Sequence, residues 1–179
     1  TPISIGAIVG REIGKYSKPT IVTSLSQTRG RGTMGKKWIS KKGNLFFTIF
    51  FELNQKKINF KNFSILNAYL IRSILSKEYK SKINIKWPND LLFSKKKFCG
   101  ILQETITHGK KKFLIIGMGI NTNFDPNVKS FSSTCLKYII NKNIDNNKLL
   151  YTIKKKYEKF LIKTQKYSYL ELIKYTNKA

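Results

Sequence analysis

Acidic residues are scarce in this chain: 9 of its 179 residues are Asp or Glu, against 35 Lys and Arg, for a formal net charge of +26. So few carboxylates argue against a protein-built cage for a hard cation, which needs several converging acidic oxygens. Histidine occurs once, at His108 beside Gly109 and a lysine run. That single imidazole removes most zinc sites and catalytic triads, and its neighbours read as a turn. Cysteine occurs twice, at Cys99 and Cys135, in apolar surroundings without metal-ligand spacing. No apolar run approaches the roughly 18 residues of a membrane span, and no cleavable signal pattern is present. The expectation is a soluble, cytoplasmic protein with reduced thiols and no membrane partner. Arginine is also rare, at Arg11, Arg29, Arg31 and Arg72, so the charge is almost wholly lysine. Nucleic-acid readers depend on arginine for bidentate contacts, and these lysines are scattered among abundant Ile and Asn. Composition therefore argues against nucleic acid and leaves a salt-dependent attraction for acidic partners.

What is present is a core. Hydrophobic residues make up 41% and aromatic residues 13%, enough to expect one globular domain rather than a disordered chain. Residues 19–25 read as a β-branched strand, and residues 45–51 as an apolar strand buried on both faces. Phe63, Leu66, Leu70 and Ile74 have helical spacing within residues 58–79. Residues 83–87 form a short strand stopped by Pro88, and residues 97–107 and 112–116 two strands joined at His108-Gly109. Beyond Pro126 the strand signals end; Leu150, Ile153, Tyr157 and Phe160 mark one helix, and residues 169–173 begin another. This pattern predicts an α+β fold, a mixed or antiparallel sheet with helices packed on one side, rather than a doubly wound one.

Four clusters stand out as candidates for chemistry. Gln27-Thr28-Arg29-Gly30-Arg31-Gly32-Thr33-Met34-Gly35-Lys36-Lys37-Trp38 sets three glycines among cationic side chains. Such a turn can bring backbone N–H groups close to an anion. Its spacing matches neither a P-loop nor a dinucleotide fingerprint, and read alone it fits a solvated surface turn as well. Lys86-Trp87-Pro88-Asn89-Asp90 places Lys86 on a strand end fixed by Pro88, suited to neutralising a carboxylate or phosphate, or simply an Asn-Asp turn. Gly100 in Gly100-Ile101-Leu102-Gln103-Glu104 marks a bulge, a close ligand approach or a packing glycine. Gly117-Met118-Gly119-Ile120-Asn121 would let a flat ligand lie on the backbone, with Asn121 offering a donor and an acceptor.

In this order the four clusters resemble the catalytic domain of biotin protein ligases, a likeness covering roughly residues 19–175, with Ser133-Thr134-Cys135-Leu136 where the family often reads Ala-Thr-Ser-Leu. The resemblance implies a biotin/lipoate ligase-like, class II synthetase-like fold. It implies ATP-dependent activation of biotin to biotinyl-5′-AMP, then transfer to a lysine of a biotin carboxyl carrier domain of acetyl-CoA carboxylase or a related carboxylase. It implies catalytic roles for Lys86 and Arg31, and biotin or adenylate contacts for Gln27, Gly30, Arg31, Gly32, Thr33, Lys86, Gly100, Gly119 and Asn121. The glycine loop would close over the adenylate, while Trp38 and Trp87 would be packing anchors. Mg²⁺ is expected with ATP, bound mainly by phosphate and water, with no metal residue assigned.

Departures from the pattern carry their own expectations. Thr33 stands where many relatives have an arginine, which predicts faster escape of biotinyl-AMP, to be read by comparing the natural chain with Thr33→Arg. Thr1-Pro2-Ile3 stands in place of an intact Ser-Thr-Asn biotin motif. Residues 1–179 would be one catalytic domain, without the helix-turn-helix or small C-terminal β-domain that some members carry; a homodimer is compatible with the resemblance. The nearest rival is a lipoate or octanoate ligase or transferase of the same fold, whose loop motifs are absent here. A rival of another class is a basic nucleic-acid-binding module without catalysis.

Overall fold

The computed structural model describes residues 9, 12–15, 18–53, 59–128 and 130–178, so the departure at residues 1–3 lies outside the described residues. Its centre is a six-stranded sheet in the order β1-β2-β6-β5-β4-β3. The strands are β1 (Thr20–Ser24), β2 (Leu45–Glu52), β3 (Asn84–Lys86), β4 (Asp90–Phe93), β5 (Lys96–His108) and β6 (Lys111–Ile120). All five pairings are antiparallel. The helices are α1 (Phe60–Tyr79), α2 (Leu136–Ile140), α3 (Asn146–Thr164) and α4 (Tyr169–Lys178). The expected α+β class is the one observed.

β2 shows why the sheet has two covered faces. Leu45, Phe47, Ile49 and Phe51 point into the main core with α1, α3 and α4, where Phe63, Leu66, Leu70, Ile71, Ile153, Tyr157 and Phe160 are buried. Phe46 and Phe50, on the opposite face, pack with Val9, Ile13, Phe113 and Ile115. A strand apolar on both sides is how the sequence encodes that position. Asn59 caps α1 by accepting the Asn62 N–H at 2.9 Å, and Asp145 caps α3 by accepting from Asn147 and Lys148.

Three elements depart from the sequence reading: α2, a five-residue helix that the sequence did not announce, β4 and β6. β4 was not expected as a strand. It pairs with β5 through the two-residue turn Ser94-Lys95, with φ of 47° and 65° at those positions. Such a turn ordinarily advertises itself with Asn-Gly or Asp-Gly, which Ser-Lys does not. β6 runs past Ile116 to Ile120, so Gly117 and Gly119 belong to the ladder, not to a loop after it. Among the described residues, no helix is long and apolar enough to cross a membrane.

Candidate functional site

Residues paired directly across antiparallel strands point to the same face. One such row crosses the whole sheet on the face opposite the helices: Ser24, Phe46, Gly119, Gly100, Asp90 and Lys86. The next row holds Val22, Thr48, Gly117 and Leu102, and the third Thr20, Phe50, Ile115 and Glu104. Three glycines thus meet where side chains would otherwise stand, leaving a trough floored by backbone.

The glycine loop lies over this trough as a short hairpin. The Trp38 N–H donates to the Gly30 carbonyl at 2.9 Å, the Gly32 N–H to Lys36 at 2.7 Å, and Arg31 bridges Lys37. Its apex is a 3-10 turn, Thr33–Gly35, with Met34 at φ 55° and Gly35 at φ 73°. Met34 is 93% exposed. A Cβ on Gly30 would lie 2.5 Å from the Trp38 carbonyl oxygen, so the hairpin closes only with glycine there. From this hairpin Trp38 reaches down to the floor. A Cβ on Gly100 would come within 2.7 Å of its ring, and one on Gly119 within 2.4 Å. The indole Nε1 is buried without a hydrogen-bond partner. Trp87, expected as a second packing anchor, is instead 66% exposed.

Of the residues singled out from sequence, Gln27, Arg31, Gly32, Thr33, Gly100 and Gly119 line one cleft. Gln27 donates from Nε2 to the Ser40 hydroxyl at 3.2 Å. Lys86 is exposed at the end of β3, beyond the lining residues but on their face of the sheet, directly across from Asp90. Gly30 holds the hairpin from behind. Asn121 is buried just past β6, its side-chain amide donating to the Thr134 carbonyl at 3.2 Å while its carbonyl oxygen Oδ1 has no partner.

Three charged residues also line the cleft: Asp90 and Glu104, from two of the clusters named in the sequence, and Lys97, which the sequence did not single out. Lys97 Nζ sits 2.7 Å from Asp90 Oδ1, 5.4 Å from the Trp38 ring centroid and 5.6 Å from that of Phe131. Arg31 Nη2 is 2.6 Å from Glu104 Oε2. Nothing within the run Lys95-Lys96-Lys97 marks the last of the three. The register shift between Leu91 and Leu92 and the parallel bridge from Lys97 to Ser133 set it into the cleft.

Both cleft carboxylates engage a cation, and among the described residues no group of three or more His, Cys, Asp or Glu converges on a metal position. These residues do not make a divalent-cation cage. Cys99 and Cys135 are free and buried, and burial pushes both thiols up, Cys99 far more, which makes them inert packing groups.

A cleft whose glycine floor carries the Trp38 indole, roofed by a basic glycine hairpin and flanked by two cations, suits a flat, anionic ligand. Known proteins agree with that reading. The model of the biotin/lipoate A/B protein ligase family matches residues 10–121. The bifunctional ligase/repressor BirA of Escherichia coli is 37% identical over 111 residues, covering 61% of this chain and 35% of that protein. BirA of Bacillus subtilis is 33% identical over 110 residues, covering 60% and 34%. This chain therefore spans about a third of the length of those relatives. Among solved structures, the biotin protein ligase from Aquifex aeolicus in complex with biotin and ATP superposes with a TM-score of 0.77 at 31% identity, covering 90% of this chain and 69% of that one. The family model spans more than half of the sequence, and the chain belongs to the biotin/lipoate A/B protein ligase family.

Proposed function

We propose that this chain activates biotin with ATP and passes the acyl group to a lysine of an acidic biotin carboxyl carrier domain. The observation that carries the reading is the Gly100–Gly119 floor with Lys97 and Arg31 at its sides, in a chain similar to a ligase solved with biotin and ATP. In the first step a biotin carboxylate oxygen attacks the α-phosphorus of ATP, and pyrophosphate leaves. In the second, the carrier lysine amine attacks the acyl carbon, and AMP leaves with the bonding pair. The first step forces two anions together, so its barrier falls where fixed cations offset that repulsion. Lys97, held by Asp90 and flanked by two aromatic rings, is the covered cation of the floor; Arg31, held by Glu104, is the exposed one of the roof. Lys86, at the outer end of the same row and exposed, would be a catalytic cation with Arg31, meeting the anions from the rim. Gln27, Gly32 and Thr33 would contact the ligand from the hairpin, and the hairpin would shield the mixed anhydride from water. Asn121 would act by fixing the end of β6. Mg²⁺ would arrive with the nucleotide phosphates, and no step here is assigned to it.

Lipoate is the second acid that the family accommodates. Isotopic exchange of pyrophosphate into ATP, run with each acid in turn, separates the two. The expected result is exchange dependent on biotin and near background with lipoate. Exchange with lipoate alone would reassign the substrate, and none with either acid would remove the activity from this chain.

A further inference from the structure

Both cleft cations are paired from within the protein, but the two pairs are not alike. Lys97 and Asp90 are mostly covered, with side chains 21% and 18% exposed, and both belong to the sheet. Arg31 and Glu104 are 56% and 39% exposed, and their bond joins the hairpin to β5. Among the described residues it is the one ion pair that ties this hairpin to the sheet. Arg31 stands beside Gly30, whose carbonyl accepts from Trp38, so Arg31 and the indole on the glycine floor belong to one hairpin.

We propose that Glu104 is a positioning residue, an internal stand-in for the ligand's carboxylate. In the ligand-free cleft it holds Arg31, and through the hairpin Trp38, in place. An entering carboxylate takes over the guanidinium and releases Glu104. The handover rests on the functional reading above; the tether does not. Glu104 meets Arg31 through Nη2, and a ligand carboxylate that takes the guanidinium fork face to face needs that donor too, so the two anions compete for it. An ion pair of this exposure shifts an equilibrium by at most about fivefold, weak enough for a ligand to displace.

The chain has two tryptophans, so Trp87→Phe leaves Trp38 as the sole reporter. In that background, without ligand, Glu104→Gln should raise the acrylamide quenching constant of Trp38 about twofold. Arg31→Gln, which cuts the same pair from the other side, should do likewise. High salt should raise quenching in the parent and add little in either variant. Equal quenching in parent and both variants would overturn the tether. Titration calorimetry with biotin and with its neutral amide tests the handover. Glu104→Gln should raise the affinity for biotin relative to the amide roughly two- to fivefold. An unchanged or smaller biotin-to-amide affinity ratio in the variant would overturn the handover. A parent that binds neither compound would overturn the handover together with the functional reading, and quenching would still decide the tether.

Discussion

Gly100 and Gly119 show what single residues contribute to this site. They matter through what they leave out, because a Cβ at Gly119 would fall within 2.4 to 2.6 Å of three Trp38 ring atoms. Gly119→Ala should therefore displace the ring or strain the strand, at a cost of about 1–3 kcal/mol in urea unfolding. Gly117→Ala is the control: its nearest neighbour would be the Leu102 carbonyl oxygen at 3.6 Å, an ordinary contact. It should change stability by less than about 0.5 kcal/mol. Equal effects would mean that the indole does not rest on the floor. The glycines were legible as motifs, but their meeting was not, since Gly100 and Gly119 are brought together only by the β5–β6 register. Lys97 was hidden for a related reason. Three lysines in a row are indistinguishable until a strand irregularity turns one of them inward, whereas Lys86 was conspicuous beside a Trp-Pro pair and stands at the rim.

At the scale of elements, the longer helices and strands announced themselves, and the short α2 and β4 did not. α1 and α3 repeat buried residues at helical spacing, and each begins on an Asn or Asp cap. β4 is four residues long and turns on Ser-Lys, so neither length nor turn chemistry exposes it. Behind the cleft, Tyr157 of α3 donates to Asn67 Oδ1 at 3.0 Å, and Asn67 donates to Gln103 of β5 at 2.7 Å. Gln103 in turn donates to the Phe60 carbonyl at 2.7 Å. Tyr157→Phe removes the first donor and leaves Asn67 Oδ1 short of a partner in a dry core. The expected loss is about 1–3 kcal/mol, read as a shift in the denaturation midpoint without a change in slope. α4 opens on a capping box, Ser168 with Glu171: the Ser168 N–H and hydroxyl both donate to Glu171 Oε2 at 2.7 Å. The Ser168 hydroxyl bond, then its backbone bond, hold this carboxyl below its usual range. A pKa depressed on folding gives support that is present above the unfolded value and fades as pH falls through the folded one. Amide exchange in the first turn of α4 should thus lose protection on acidification beyond the general acid effect, and Glu171→Gln should remove that extra sensitivity. An unaltered acid response in Glu171→Gln would show that the box does not hold the helix.

For the molecule as a whole, charge and fold answer different questions. A net charge of +26 repels itself and draws acidic partners from a distance. Raising salt from low to about 0.5 M should raise the melting temperature by screening that repulsion, and should slow association with an acidic carrier domain. A melting temperature that falls with salt would place the dominant charge effect in attractive pairs instead. The sheet-and-helix class was readable because β2 is apolar on both faces and α1 is strongly periodic. The cleft was not fully readable, because strand register, not local pattern, decides which charges share the face with the glycines. The central claim is that this face activates an acyl group through Lys97. It is tested most directly by incubating the protein with ATP and biotin, quenching, and measuring biotinyl-AMP per protein molecule by chromatography. The natural chain should form the adenylate, Lys97→Gln should form it roughly a hundredfold more slowly, and Lys86→Gln should fall between them. A natural chain that forms no adenylate, or a Lys97→Gln variant as fast as the natural chain, would contradict the claim.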